Sequence, residues 1–250
     1  MSDIVAERSG HILSIQLNRP AKKNAMSSSM YLTMAELLDD AAKDDQVRVV
    51  LWHAAGDMFS AGNDLEDFLK NPPGPGESPQ SRLMHALNDF GKPLVAAVQG
   101  AAIGGATTML THCDIVYAGA GAKFQLPFIN LGVVPEFGSS YLLPQRFGYL
   151  QAAELILLAK PFDATRAAEL GLVTQVVPNE NLLAIATETA RNLAEKPAVA
   201  VQACKRLMKM ATRDQLEFAM KIENEEFAAR VTSDEAKAAF KAFFARRQPK

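Results

Sequence analysis

The 250-residue sequence is poor in the residues that build metal centres, disulfide frameworks and nucleic-acid surfaces. Its 2 cysteines, Cys113 and Cys204, form neither a CxxC pair nor a zinc-ligand spacing. Both read as buried, inert thiols of a protein kept in a reducing compartment. The 4 histidines, His11, His53, His85 and His112, stand singly, so no metal site is expected. Positive charge is not in excess. Against 28 Asp and Glu there are 26 Lys and Arg, a net charge of −2 with no basic block, which argues against nucleic acid as a partner. A membrane span is not expected either. The uncharged run from Pro93 to Cys113 is interrupted by Gln99, Gly100, Gly104, Gly105 and His112, and reads better as a buried strand followed by a buried helix. Met1-Ser2-Asp3-Ile4 has no basic or apolar region of a secretory signal, and Gln248-Pro249-Lys250 is not a peroxisomal address, so the cytoplasm is the expected compartment.

What is present is a hydrophobic content of 48%, enough for a substantial core. Ile12 to Leu17 alternates as a half-buried strand does. Ser27 to Ser29 can cap a helix whose Met30, Met34, Leu37, Leu38 and Ala41 form one stripe. Further strands are expected over Val47 to His53, Leu94 to Val98, Asp114 to Ala118, Lys123 to Gln125 and Val173 to Val177. Helices are expected over Ile103 to Thr111, Tyr149 to Leu158 and Ala164 to Leu170, the last with Asp163 as N-cap and Gly171 just beyond its end. Asn71 to Pro79 is too rich in Pro and Gly for either and reads as a mobile surface loop or a plain linker. After Asn179 the pattern is entirely helical, ending in a helix with Phe240, Phe243 and Phe244 on one stripe, which packs either in the core or against another subunit. Strand–helix alternation followed by helices gives an α/β class with a helical C-terminal subdomain, divided here as 1–195 and 196–250, the second part serving oligomerisation.

Three segments have the composition of a reaction site. The first, Met58-Phe59-Ser60-Ala61-Gly62-Asn63-Asp64-Leu65, follows a strand, and its small residues let a ligand approach the main chain. An ordinary strand-to-helix turn reads the same way. The second, Gln99-Gly100-Ala101-Ala102-Ile103-Gly104-Gly105-Ala106, places unobstructed N–H groups near a helix start, or else only permits close packing. It matches neither a dinucleotide fingerprint nor a phosphate-binding loop. The third runs from Pro127 to Ser140 and carries one acid, Glu136, among apolar residues. A carboxyl buried there would have its pKa raised toward neutrality, suiting it to accept a proton and return it. An exposed turn residue or a helix cap is the plain alternative.

Taken in order, the three segments resemble the crotonase (enoyl-CoA hydratase/isomerase) superfamily, from Asn18-Arg19-Pro20 and Asn24-Ala25 through Glu169-Leu170-Gly171-Leu172-Val173. Within it, Ser60 to Leu65 and Pro127-Phe128, Leu131-Gly132, Pro135-Glu136 and Ser139-Ser140 are similar to the peroxisomal type of Δ3,Δ2-enoyl-CoA isomerase. The resemblance implies a spiral of repeated ββα units, a homotrimer or hexamer, and an acyl-CoA substrate with no further cofactor. It also implies an oxyanion hole made by the N–H groups of Ala61 and Gly105, with Glu136 as the base. Coenzyme A would lie along Lys22, Lys23, Asn24 and Ala25 and along Gly62, Asn63, Asp64 and Leu65, with the two lysines either meeting its phosphates or forming a solvated pair. Phe128 and Leu131, with Val134 and Phe137, would line the acyl pocket or else pack the core, and the loop after Asn71 would gate it. Where hydratases of the family carry two glutamates, this chain has Thr108 and Phe128, neither able to activate water. Other crotonase-type chemistry (hydration, thioester hydrolysis, isomerisation of ring-containing esters) and a non-catalytic binding role are the competing readings.

Overall fold

The computed structural model describes residues 2–70 and 77–247. The first half of the chain gives β1 (Ile4–Ser9), β2 (Ile12–Leu17), α1 (Ser28–Lys43), β3 (Val49–Ala54), α2 (Leu65–Lys70) and α3 (Pro79–Asp89). Then come β4 (Leu94–Val98), β5 (Ala101–Ile103), α4 (Gly105–Thr108), β6 (Ile115–Gly119), β7 (Lys123–Gln125), α5 (Ser139–Phe147) and α6 (Tyr149–Leu158). The remainder is β8 (Phe162–Asp163), α7 (Ala164–Glu169), β9 (Gln175–Val177), α8 (Leu182–Ala194), α9 (Ala198–Met210), α10 (Arg213–Val231) and α11 (Asp234–Arg247).

The strands form two sheets. The larger has the order β1-β2-β3-β4-β6-β9 and is parallel except for the β1–β2 pair. Its central strands are apolar on both faces, as a parallel sheet covered on both sides requires. Period-two alternation sorts them: Val50, Trp52, Leu94, Ala96 and Val98 join the main core, while Val49, Leu51, Val95 and Ala97 pack with Leu182, Ala186, Ala190 and Ala194 of α8. The smaller sheet, β5-β7-β8, pairs Ala101–Ile103 in parallel with Lys123–Gln125. Phe124 of β7 stacks on Phe162 of β8 with ring centres 5.7 Å apart.

Local capping explains several boundaries. Ser27 Oγ accepts from Met30 N at the start of α1, and Asp163 Oδ1 accepts from Arg166 N at the start of α7. Ser78 and Ser81 exchange side-chain-to-backbone bonds in a capping box, with Pro79 as the first residue of α3. Most of the Pro/Gly-rich stretch expected to be a loop lies outside the described residues, and its last part is thus the start of a helix.

Two expectations are corrected, and two elements went unread in the sequence. The helix expected from Ile103 is a strand end followed by the short α4 and a 3₁₀ turn, Met109–His112, because Ala101–Ile103 is drawn into pairing with β7. β1 carries no alternation signal: it is an edge strand in which only Ile4 is buried, and α5 contains Pro144, which hides it from a propensity reading. Cys113 is buried as expected, but Cys204 is exposed on α9. Among the described residues no helix is long and apolar enough to cross a membrane, and no cluster of metal-ligating side chains is found.

Gly100, between β4 and β5, is the tightest packing point of this frame. Its φ is +63°, and an added Cβ would sit 1.9 Å from Asp57 O. Gly100→Ala should therefore lower the unfolding free energy by more than about 2 kcal/mol, combining left-handed strain with a backbone clash. A denaturant midpoint equal to that of the wild type would contradict this contact.

Candidate active site

The loop after β3 is held by main-chain bonds on two sides. Ser60 N donates to Ala101 O at 3.0 Å, and Ile103 N donates to Ser60 O at 3.1 Å, so the loop runs parallel to β5. On the other side Met26 N donates to Gly62 O and Asp64 N to Met26 O, both at 2.8 Å. Gly62 is pressed against β5, where a Cβ would come within 2.6 Å of Ile103 O. This lacing sets Asn63 beside Gly104 and Gly105, on the wall of a cavity of about 570 Å³.

The lacing corrects one expectation from the sequence. Ala61 N is not free: it donates to Lys23 O at 2.9 Å. A donor already bonded in the main chain cannot also hold a developing charge, so Ala61 does not supply that N–H, although it does line the cavity. Two N–H groups on this wall, those of Asn63 and Gly105, make no hydrogen bond among the described residues. Gly105 is the first residue of α4, where N–H groups have no intrahelical acceptor.

Glu136 lies behind this wall and not on it. The residue is 6% exposed, and its Oε1 accepts from Asn63 Nδ2 at 3.2 Å. The Asn63 amide is oriented in turn by Tyr31 of α1, whose hydroxyl donates to Asn63 Oδ1 at 2.5 Å. A Cβ at position 105 would lie 2.5 Å from Glu136 Oε1 and 3.1 Å from the Tyr31 hydroxyl. Gly105 thus keeps open the contact between the carboxyl and the wall. Burial pushes the Glu136 carboxyl up to about 8; the Asn63 bond pulls it partly back, and the Glu223 charge adds to the rise. Burial and the nearby Glu136 hold Tyr31 well above its ordinary range, so it remains a donor.

The other expected residues divide clearly. Lys22, Ala25, Gly62, Asn63, Asp64, Leu65, Phe128 and Leu131 line the cavity. Lys22 forms an exposed ion pair with Glu66 at 3.7 Å, and Asp64 a closer one with Arg19 at 2.6 Å. Lys23 and Asn24 do not line it. Lys23 is solvent-exposed and contributes its carbonyl to the Ala61 bond. Asn24 is fully buried and pins the loops together, accepting from Arg19 N and donating to Ala55 O and Met58 O. Phe137 is buried outside the cavity, and Val134 lines a separate groove. Thr108 is buried with its hydroxyl 3.2 Å from Gly105 O.

The C-terminal phenylalanines have a use not anticipated from their spacing. Phe240, Phe243 and Phe244 of α11 line the far end of the cavity with Phe68 and Phe227. Phe240 also packs on Phe68, with ring centres 6.2 Å apart. Two further participants were illegible in the sequence: Tyr31, one residue of an ordinary helical stripe, and Glu223, one of several acids along α10.

The raised Glu136 pKa has a consequence for stability. Between its ordinary 4.5 and its folded value of about 8, the folded state binds more protons than the unfolded, so this group's contribution falls as pH rises through that window. Glu136→Gln removes the titration. Its melting temperature relative to the wild type should therefore climb from about pH 5 to about pH 8.5, and a constant difference would show an ordinary carboxyl.

Comparison with known proteins places the chain among relatives. A family model described as enoyl-CoA hydratase/isomerase matches residues 7–250. The chain is 34% identical over 250 residues to enoyl-CoA delta isomerase 2 of Rattus norvegicus, covering 98% of this chain but 64% of that longer protein. It is also 34% identical over 253 residues to the enoyl-CoA hydratase EchA19 of Mycobacterium tuberculosis, covering 99% and 95% of the two chains. Among solved structures, an enoyl-CoA hydratase/isomerase from Pseudoalteromonas atlantica superposes with a TM-score of 0.94 at 38% identity, covering 100% of this chain and 99% of that one.

Proposed function

The chain belongs to the enoyl-CoA hydratase/isomerase (crotonase) family, and on that premise we propose that it isomerises 3-enoyl-CoA to conjugated 2-enoyl-CoA. The observation that carries this reading is a buried carboxyl, Glu136, set against two unbonded main-chain N–H groups, with no second carboxyl at Thr108 or Phe128. The thioester oxygen lies at the N–H groups of Asn63 and Gly105. The Glu136 carboxylate takes a proton from the α carbon through the gap beside Gly105. The electron pair left behind is shared between the thioester oxygen and, through the carbon–carbon double bond, the γ carbon, as a dienolate. Pre-aimed donors of this kind contribute on the order of 3 kcal/mol each to the transition state. The protonated Glu136 then gives its proton to the γ carbon, the double bond moves into conjugation, and the base is regenerated. Atoms and electrons balance without water or a redox partner.

The cavity supports this assignment at both ends. Lys22, Ala25 and Asp64 to Glu66 form a polar mouth suited to the coenzyme A moiety, whereas the phenylalanines of α10 and α11 close an apolar end around the acyl chain. Phe128 in the wall keeps water from the dienolate, and excluding water protects an enzyme that must not hydrate its own product. The hydratase among the relatives keeps the alternative of water addition in view, and product mass separates the two: isomerisation leaves it unchanged.

The test is ultraviolet absorbance of the conjugated product from a 3-enoyl-CoA. Glu136→Gln should lose activity by about 1,000-fold or more, the cost of removing a proton-transfer group from a positioned site. In the wild type, kcat/KM should rise with pH, reach half its plateau near pH 8, where the carboxyl is half ionised, and level off above that. A Glu136→Gln variant within a few-fold of the wild type would remove Glu136 from the mechanism.

We also propose assembly into a homotrimer or hexamer. Supporting it are exposed apolar side chains on α6 and α9, among them Leu150 at 80% and Val199 at 83% exposure. Light scattering should give a multiple of three chains, and a monomer would contradict it.

A further inference from the structure

We propose that Glu223, on α10, is a positioning residue for the base: it clamps the turn that follows Glu136 and so fixes where the Glu136 carboxyl lies. The inference rests on the isomerase reading and assigns a residue that reading does not use.

Two consecutive residues after Glu136 are left-handed, Phe137 at φ 64° and Gly138 at φ 67°. For a residue with a side chain this conformation costs roughly 1–2 kcal/mol, so the surroundings must hold it. α5 begins directly afterwards with Gly138 as its N-cap, a residue with no side chain to bond the free N–H groups. Glu223 performs that office from another helix. Its Oε2 accepts from Gly138 N and its Oε1 from Ser140 N, each at 2.6 Å. On the other side of the turn His112 Nε2 donates to Phe137 O at 2.8 Å; burial pushes this imidazole down to about 3, so it is neutral. The turn is therefore gripped by α10 and by the 3₁₀ turn before β6. Glu136 itself has one side-chain bond, to Asn63 at 3.2 Å, and its carbonyl accepts from Ser139 N at 3.3 Å within the clamped turn.

The use of both carboxylate oxygens makes the site demanding. A glutamine could accept one N–H but would point its own N–H₂ at the other. The clamp also brings charge. Glu223 is 6% exposed; burial pushes it up to about 7, and the bonds from Ser140 and Gly138 draw it back. The ionisable groups facing this turn are Glu223 from α10, Tyr31 from α1 and His112, with the neutral Asn63 between Tyr31 and Glu136.

The experiment compares the wild type with Glu223→Gln and Glu223→Asp. Glu223→Gln should lower kcat on the order of 10-fold or more with KM within about twofold, as misplacing a reacting group does. The pH at which kcat/KM levels off should move down, because a negative charge beside Glu136 is gone. A role in stability alone would lower the melting temperature and leave kcat and the pH profile of the folded protein unchanged; that result overturns the proposal. A ¹³C NMR titration of the Glu136 carboxyl, assigned by its loss in Glu136→Gln, reads the same coupling without turnover. If the wild type does not isomerise 3-enoyl-CoA, the isomerase reading fails, while a downward shift of this titration in Glu223→Gln still supports the clamp and an unmoved one overturns it. Should Glu223→Gln not fold, Glu223→Asp keeps the charge one methylene short of its donors. It should lower kcat while holding the plateau pH near the wild-type value, and a wild-type kcat would overturn the proposal.

Discussion

A carboxyl group shut away from water governs the arrangement around it. Desolvation of Glu136 outweighs the single bond from Asn63, which is why its pKa rises despite a donor 3.2 Å away. Every neighbour is consistent with that balance. Tyr31 turns the Asn63 amide so that its N–H₂ meets the carboxyl, Gly105 supplies no side chain that would displace it, and Phe128 lies on the adjoining wall where a second acid would bring water and charge. The result is a group poised between its two protonation states near neutral pH, as a proton shuttle needs.

The donors opposite it owe their position to main-chain pairing. The loop Ser60 to Asp64 is bonded to β5 of the small sheet and to Met26 before α1, which puts the wall where the two sheets approach one another. Donors supplied by backbone survive many side-chain changes, whereas the proposed base is one side chain. This separation accords with a family in which relatives about one-third identical to this chain carry isomerase and hydratase names.

Much of this was legible in the sequence, for physical reasons that can be named. Period-two alternation exposed β2, an unbroken apolar run exposed β4, capping residues exposed α1 and α7, and a lone acid among apolar residues marked Glu136. The family resemblance pointed to this loop, but the Ala61 amide it named is bonded to Lys23 O, and Asn63 N is the one left unbonded. Ala61 and Asn63 are two residues apart in a segment of small side chains, and only the pairing with Lys23 and Met26 decides which N–H is left over. Asn24 was named as a ligand contact by the family resemblance alone; its burial and three side-chain hydrogen bonds make it a structural pin. Tyr31 and Glu223 act across 32 and 85 residues of sequence, and no local pattern signals such a partnership.

That last distance bears on how the protein comes into being. Gly138 leaves the ribosome 85 residues before Glu223, and the phenylalanines that close the cavity are made later still. A growing chain can therefore complete its sheets and bury the acid while the turn beside it is still uncapped. On the proposed roles of Glu223 and these phenylalanines, catalytic competence arrives only with the final helices, so an incompletely translated molecule would be folded in part and chemically silent.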